Sequence, residues 1–280
     1  MRGVPSKTLP PALTAPRSRA LALCALPVLA LFAVAAFVPL PFTLESPGQT
    51  ADTLGAVRVK DAQGAEQTVE VLTITGAPQR QTAGNLRVVT IEATVPGRRN
   101  TLWDSLAAWV DPERAVVPTA EVYPQSDPKK ANEVTQQQMT QSQDSATMAA
   151  LSYLHLSPEQ VNVQIQLGAI GGPSGGQMLA LGIIDKIAGD GKGGDLTGGM
   201  NIAGTGTIDA DGRIGQVGGI PLKTQAAHAA GATVFLLPRS ECTQGKVNTP
   251  DGLRLVPVDT LAESIAALQA VREGGAVPHC

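Results

Sequence analysis

Hydrophobic and polar residues are arranged differently in successive parts of the chain. An uncharged apolar run, Ala20–Leu44, comes first. Short runs rich in Val, Ile and Thr follow, separated by Gly, Pro and Asn, and this pattern is typical of β-strands joined by turns. From Val161 onward, regular alternation and then a nearly continuous apolar segment indicate a more deeply buried α/β part. The pattern predicts a mixed α+β chain with one apolar segment near its N-terminus.

The apolar run is long enough to cross a bilayer as one helix. The first acidic residue, Glu45, follows it, and the basic residues before it are Arg2, Lys7, Arg17 and Arg19. The positive-inside rule then predicts residues 1–19 in the cytoplasm, a transmembrane signal anchor over 20–44, and the rest of the chain outside the cytoplasm.

The alternative for this segment is a cleaved secretory signal, because Ala33-Val34-Ala35 has the small-x-small form of a cleavage site. Signal peptides usually have an apolar region of about 7–15 residues, and the run here is longer. The length therefore favours an uncleaved anchor in the cell membrane.

Residues 45–128 are predicted to form a small juxtamembrane α+β module, entered through a turn-rich segment over 45–56. Three strands, a short helix and an extended segment follow that entry: Val57–Lys60, Thr68–Thr75, Arg87–Val95, Thr101–Val110 and Ala115–Pro128. A connecting helix is predicted within residues 129–160. It begins polar and glutamine-rich and ends apolar, so one end is expected in solvent and the other docked.

Residues 161–273 predict one further domain of ordinary size. Alternation predicts a strand over Val161–Leu167 with one buried face, and Gln177–Ile187 is apolar on nearly all sides, which indicates a buried helix. The remaining predicted elements are a strand over Ile202–Ile208, a hairpin turn at Asp209–Gly212 with its return Arg213–Val217, a helix from Pro221 to Gly231, a strand over Ala232–Leu237, and a last helix opened by a capping box at Thr260–Glu263.

Composition removes several classes of function. The net charge is −3 and the aromatic content is 3%, so neither a basic face nor a stacking surface for nucleic acid is expected. The three histidines, His155, His228 and His279, are scattered, which disfavours a histidine metal site or a Ser/His/Asp triad. The glycine-rich segment 189–194 lacks the Gly-Lys-Ser/Thr of a phosphate loop. We therefore predict no metal, no cofactor and no nucleic-acid partner.

The cysteines leave one question open. Cys24 lies inside the apolar run, and Cys242 and Cys280 lie beyond it. Two cysteines in an oxidising compartment can pair. Cys280 ends a polar tail, however, which favours a frayed end without a bond.

One serine and one lysine occupy positions suited to nucleophilic catalysis. Ser174 lies within Gly171–Gly176, where a strand passes into the buried helix. The start of a helix offers free N–H groups and a partial positive charge, which suit a developing oxyanion. Lys223 lies in the first turn of a later helix, where the dipole and burial both favour loss of its proton. A neutral lysine amine can act as general base for a serine hydroxyl.

Each residue also has a simpler explanation. A serine at the start of a helix is most often an N-cap. A lysine is most often a solvated surface residue. Taken singly, Ser174 and Lys223 would each be assigned to these ordinary roles.

The residues around and between the two resemble the proteolytic domain of Lon-type peptidases. Five elements occur in the family's order over roughly residues 165–268, and they are Gly172-Pro173-Ser174-Gly175-Gly176, Thr205-Gly206-Thr207-Ile208, Gly212, Gly218-Gly219-Ile220-Pro221-Leu222-Lys223, and Gly231–Pro238. Together with the apolar run, they make the chain similar to the membrane-anchored, ATP-independent Lon-like peptidases of bacteria, which usually carry a PDZ domain.

The resemblance implies specific roles. Ser174 would be the nucleophile that forms an acyl-enzyme, Lys223 its general base, and Thr205 a residue that helps to position the lysine. The protein would be an extracytoplasmic serine endopeptidase acting on protein or peptide substrates, with a Lon-type domain over 161–273. Because Lon-type domains tend to form rings, the resemblance also suggests a homo-oligomer.

Three features depart from the family's pattern. Gly171-Gly172 stands where many Lon proteases have an acidic residue, the loop over 188–195 is enlarged by glycines, and residues 156–160 leave no room for a PDZ domain. The resemblance therefore does not indicate how this protein selects its substrates. Two alternatives stay open, a catalytically silent binding scaffold of the cell envelope and a small-molecule hydrolase that uses the same dyad.

Overall fold

The computed structural model describes residues 17–61, 64–95, 98–124, 128–168 and 170–280 of a mixed α+β chain. The helices are α1 (Arg17–Phe37), α2 (Leu102–Val110), α3 (Thr119–Val122), α4 (Pro128–Tyr153), α5 (Gly176–Ile187), α6 (Ile220–Ala229), α7 (Cys242–Gly245) and α8 (Leu261–Arg272). The strands are β1 (Phe42–Asp52), β2 (Ala56–Lys60), β3 (Glu66–Glu70), β4 (Leu72–Thr75), β5 (Asn85–Ala93), β6 (Ala115–Pro118), β7 (Asn162–Ile165), β8 (Asn201–Gly204), β9 (Thr207–Ile208), β10 (Ile214–Gly215), β11 (Val234–Pro238) and β12 (Arg254–Val258).

The N-terminal helix confirms part of the membrane prediction. Its segment Ala20–Phe37 is long and apolar enough to cross a membrane, although a signal sequence has the same properties. The predicted span continued to Leu44, but the helix ends at Phe37 and residues 42–44 belong to β1. Pro39 and Pro41 account for the early end, since each lacks the N–H that would continue the helical bonding and each disfavours a helical conformation at the residue before it. Of the predicted cytoplasmic segment 1–19, residues 1–16 lie outside the described part.

A six-stranded sheet organises the body of the protein, in the order β12-β11-β8-β5-β1-β6. The pairs from β12 to β5 are parallel, and β1 is antiparallel to both β5 and β6. The contact between β5 and β8, with Val88 opposite Gly204, joins the predicted module over 45–128 to the predicted domain over 161–273. The two segments therefore share one sheet, a connection that alternation alone could not reveal.

Helices cover both faces of this sheet. On one face α5 is buried along nearly its whole length and packs against α4, α8 and the sheet, in a core that includes Val88 and Ile202. On the other face α6 packs over β1 and β5, in a cluster that includes Val89 and Ala203. Adjacent strand residues point to opposite faces, so the central strands β5, β8 and β11 contribute buried residues to both clusters.

The segment 45–56, predicted as a turn-rich exit, is instead mostly strand. β1 runs through Pro47 and Gly48 with an irregularity between Pro47 and Thr50 in its pairing with β5. A Cβ added at Gly48 would lie 2.5 Å from the Thr90 hydroxyl oxygen, so only glycine allows this approach. Turn-forming residues here mark a bulge within a strand.

Two predicted strands are each divided between different sheets. Thr68–Thr75 breaks at Val71, with β3 pairing to β2 and β4 pairing to β7. Ile202–Ile208 breaks after Gly204, with β8 in the large sheet and β9 in a hairpin with β10. The strand β12 was not predicted.

Most helices agree with their predictions. α2 begins at a capping box in which Thr101 and Asp104 bond to each other's backbone N–H groups. α4 matches the long polar helix, and its later residues pack against α5. Thr260 caps α8 as predicted, but Glu263 accepts from the N–H of Asp259 and does not complete the box.

The structure also answers the cysteine question. Cys242 and Cys280 form a disulfide, and Cys24 is free and exposed. Cys280 also packs against the cluster on the α6 face. The disulfide therefore holds the tail in place, and the expectation of a frayed end without a bond is wrong.

Candidate active site

Ser174 lies where the chain enters α5. It is the middle residue of a single 3-10 turn, Pro173–Gly175, which leads directly into α5. Neither this turn nor α5 has a side-chain N-cap bond. The Ser174 hydroxyl instead accepts a hydrogen bond from Lys223 Nζ. The ordinary explanation of Ser174 as a helix cap therefore does not apply.

Lys223 reaches the same point from the opposite face of the sheet. It lies in the first turn of α6, whose N-cap is Gly219 and whose second residue is Pro221. Gly219 adopts φ +70, a left-handed conformation that favours glycine and directs the chain into the helix. The lysine is only 3% exposed. Its explanation as a solvated surface residue is therefore wrong.

The serine, the lysine and Thr205 meet just beyond the end of β8. Lys223 Nζ lies 3.0 Å from Ser174 Oγ and 3.1 Å from Thr205 Oγ1. β8 ends at Gly204, and the N–H of Thr205 still donates to the Leu236 carbonyl of β11 at 2.9 Å, which fixes Thr205 at the end of the strand where the three side chains converge. The structure thus brings together all three residues singled out in the sequence.

Thr205 has a defined orientation. Its hydroxyl donates to the Ser174 carbonyl oxygen at 3.2 Å, and a hydroxyl has only one proton to donate. Toward Lys223 it can therefore only accept. A neutral lysine amine that donates one N–H to Thr205 can direct its lone pair toward the serine hydroxyl.

Electrostatics at the lysine favour the neutral amine. Burial lowers the pKa of Lys223 to about 8, while the carboxylates of Glu45 and Glu241 act in the opposite direction. Burial also raises the pKa of Glu45, and the charge of Lys223 partly offsets that rise. A lysine with a pKa near 8 is deprotonated in a substantial fraction of molecules at mildly alkaline pH.

Two contacts hold the serine turn in place. The Ser142 hydroxyl of α4 donates to the Pro173 carbonyl at 2.9 Å, and the N–H of Gly206 donates to the Ser174 carbonyl at 2.8 Å. α4 is therefore more than the connection predicted, since it supports the turn that carries Ser174.

Sequence reasoning missed Ser142 and Glu45. Ser142 lies in a polar helix with no motif around it, and Glu45 is separated from Lys223 by most of the chain. The only signal for Glu45 was an isolated carboxylate among less polar residues at the start of a strand. No spacing rule connects that position with residue 223.

An open cleft of about 290 Å³ lies beside the serine. Its lining includes Lys223, Ser174 and the three residues before that serine, Gly171, Gly172 and Pro173. Three other segments contribute Thr90, Ile91, Thr207, Gln216, Val217 and Gly218. A Cβ added at Gly172 or Gly218 would contact nothing within 4 Å. Both glycines therefore leave free space in front of the nucleophile that side chains would otherwise fill.

The hairpin at Asp209–Gly212 is formed as predicted. Asp209 accepts at its carboxylate from the N–H groups of Asp211 and Arg213, which closes the turn between β9 and β10. His228, one of the three scattered histidines, is exposed on α6.

No family model matches this chain, and a search of curated proteins finds no match either.

Proposed function

We propose that this protein is an ATP-independent serine endopeptidase of the Lon-like type, with a Ser174–Lys223 dyad. The observation that carries the proposal is the 3.0 Å separation of Lys223 Nζ and Ser174 Oγ at a buried lysine. A buried lysine beside a serine hydroxyl at a helix start is one arrangement by which a serine nucleophile can be activated without histidine.

Acylation begins with the neutral lysine. Lys223 Nζ takes the proton of the Ser174 hydroxyl while Oγ forms a bond to the carbonyl carbon of the substrate. The tetrahedral intermediate then collapses, the carbon–nitrogen bond breaks, and the leaving amine takes the proton back from the lysine ammonium. The product of this half-reaction is a serine ester and a neutral lysine.

Deacylation uses the same groups with water. Water gives a proton to Lys223 as its oxygen bonds to the ester carbon, and the ester bond breaks. The Ser174 oxygen then recovers its proton from the lysine. Thr205 remains bonded to Nζ in both steps and keeps the amine directed at Oγ.

Backbone N–H groups at the start of the turn and α5 would stabilise the oxyanion. The first N–H groups of a helix have no partner within the helix, and they point toward charge that develops at its N-terminus. The N–H of Gln177 already donates a hydrogen bond to the Gly206 carbonyl oxygen. The donors we propose are therefore those of Ser174 and Gly175.

Two features, α1 and the disulfide, support a proposed cellular location. We propose that α1 crosses the cell membrane with the N-terminus in the cytoplasm and the sheet outside. A disulfide between Cys242 and Cys280 supports an oxidising compartment for the body of the protein. The chain passes directly from α4 to β7, so the cleft itself, without a PDZ domain, would select substrates.

The experiment that tests the proposal compares the full chain with Ser174→Ala and Lys223→Met in the cleavage of a fluorescently labelled, unfolded protein. Both variants should lose at least 100-fold in kcat/KM, because each removes one half of the dyad. Lys246→Met, which alters an exposed lysine, should retain full activity. If the wild type and all variants are equally inert, the silent scaffold is favoured.

Loss of activity in Lys223→Met will not reflect unfolding. A lysine whose pKa falls from about 10.4 to about 8 destabilises the fold by at most about 3 kcal/mol. That penalty is fully present below about pH 8 and disappears as the pH approaches 10.4. Methionine removes the charge at similar volume, so the variant should unfold at the same or a higher temperature at neutral pH.

A further inference from the structure

α2 presents an apolar face to its surroundings. Trp103 and Trp109, the chain's two tryptophans, are 67% and 80% exposed, and Val110 is 84% exposed. Leu106 is also exposed on this helix. We refer to Trp103, Leu106, Trp109 and Val110 as the α2 face. An exposed helix normally carries charged side chains at such positions.

The opposite side of α2 explains why this face remains outside. Ser105 and Ala108 are the buried residues of the helix, and both are small. The one acidic residue, Asp104, is engaged in the capping box with Thr101. The largest apolar side chains thus point away from the protein, although burial in the core would have been the more stable choice in water.

The position of α2 next to α1 identifies what covers the face. Leu40 and Asn100 form a backbone bridge, with the N–H of Leu40 donating to the Asn100 carbonyl at 2.9 Å. The bridge is three residues beyond the end of α1 and two residues before α2, and α1 and α2 contact each other. Three extended residues reach at most about 11 Å.

This reach places α2 at the surface of the bilayer that α1 would span. The polar interfacial layer is about 5–8 Å thick on each side of the hydrocarbon core. Tryptophan is enriched in that layer because its ring is apolar and its N–H is polar. Arg98 and Arg99, both exposed, lie four and three residues before the start of α2 and can reach lipid phosphates.

We propose that the α2 face is a membrane-docking surface whose partner is the outer lipid interface around α1. Trp103 and Trp109 lie at the boundary between headgroups and acyl chains, and the helix rests on the bilayer as a second attachment. The proposal rests on insertion of α1 and is independent of the peptidase chemistry.

The tryptophans themselves report the outcome. The full chain is reconstituted into phosphatidylcholine vesicles as two single-tryptophan variants, Trp103→Phe and Trp109→Phe, with and without lipids brominated near the headgroup end of the acyl chain. Flotation of the vesicles first verifies that the chain is inserted. We expect the emission of both variants to be blue-shifted relative to tryptophan in water. We also expect brominated lipid to quench at least half of the fluorescence intensity in both variants.

The matched control moves the reporter to the far end of β1. At that end of β1, the Asp52 carboxylate accepts a hydrogen bond from the Asn85 side chain. The loop that contains Lys192 is close by, because the Asp195 carboxylate in this loop accepts a hydrogen bond from the N–H of Ala83. Lys192→Trp in a chain with Phe at positions 103 and 109 should emit as in water and resist the brominated lipid.

Two results would overturn the proposal. Water-like emission from both single-tryptophan variants, unaffected by brominated lipid, would leave the α2 face in solvent. Blue-shifted emission that brominated lipid does not quench would mean that protein, such as a second copy of the chain, covers the face. A wild type without peptidase activity would not alter either measurement, so the two proposals fail separately.

Discussion

Burial lowers the pKa of Lys223, while Glu45 and Glu241 raise it, so the proposed activity should depend on pH in a defined direction. Because only the neutral amine can take the serine proton, kcat/KM should rise with pH and level off above a pKa of about 8. The measurement is a pH–rate profile with the full chain at constant ionic strength. The range from about pH 6 to about pH 9 extends to both sides of that pKa. A profile that is flat over this range would exclude a lysine base.

Glu45 provides a second test of the same group. Its negative charge favours the protonated lysine, so Glu45→Gln should lower the pKa of Lys223 and move the rising limb of the profile to lower pH. Glu92→Gln removes a carboxylate from an exposed position opposite Ser46, in the neighbouring strand, and should leave the limb in place. If both variants shift the rising limb equally, the shift reflects the change in net charge and not a specific interaction between Glu45 and Lys223.

At the scale of elements, the start of α6 controls where the lysine lies. Gly219→Ala places a side chain on a left-handed residue, which costs about 1–2 kcal/mol, and its Cβ would come within 3.0 Å of Ile91. We expect a lower unfolding temperature and a lower kcat, because Lys223 lies one turn further along α6. The measurements are thermal unfolding and single-turnover kinetics.

The adjacent glycine is the control for that variant. Gly218 has no positive φ, and a Cβ added there would contact nothing within 4 Å. Gly218→Ala should therefore change stability by less than about 0.5 kcal/mol. Gly218 lines the cleft, so any effect on KM alone would concern substrate binding. Equal destabilisation by the two variants would contradict the conformational argument.

At the scale of the whole molecule, the disulfide attaches the C-terminal tail to α7 across a sequence separation of 38. Closing a loop of that length in the unfolded chain is worth about 2–4 kcal/mol. Cys242→Ser with Cys280→Ser should lower the free energy of unfolding by that amount, measured by denaturant titration. Cys24→Ser, which alters the free cysteine of α1, should have no effect.

The two proposed attachments to the membrane would determine where the proposed catalysis takes place. β1 begins at Phe42, shortly after the end of α1, and Glu45 in this strand acts on Lys223. A domain held by α1 and by the α2 face would therefore keep its cleft close to the bilayer. Substrate segments near the membrane surface would reach Ser174 most readily.

The sequence by itself determined the local features of this protein. The apolar segment, the starts of α2, α6 and α8, the hairpin at Asp209 and the buried nature of α5 all follow from composition over a few neighbouring residues. The candidate dyad was also visible, because the residues that place Ser174 and Lys223 at helix starts are adjacent to them in the chain.

Only the tertiary structure decided which distant segments meet. Alternation identifies the buried face of a strand but not its neighbour, so the pairing of β5 with β8 and the division of Ile202–Ile208 could not be predicted. The same holds for Glu45 beside Lys223 and for the Cys242–Cys280 bond. These contacts depend on the path of the backbone in space, and residue spacing does not encode that path.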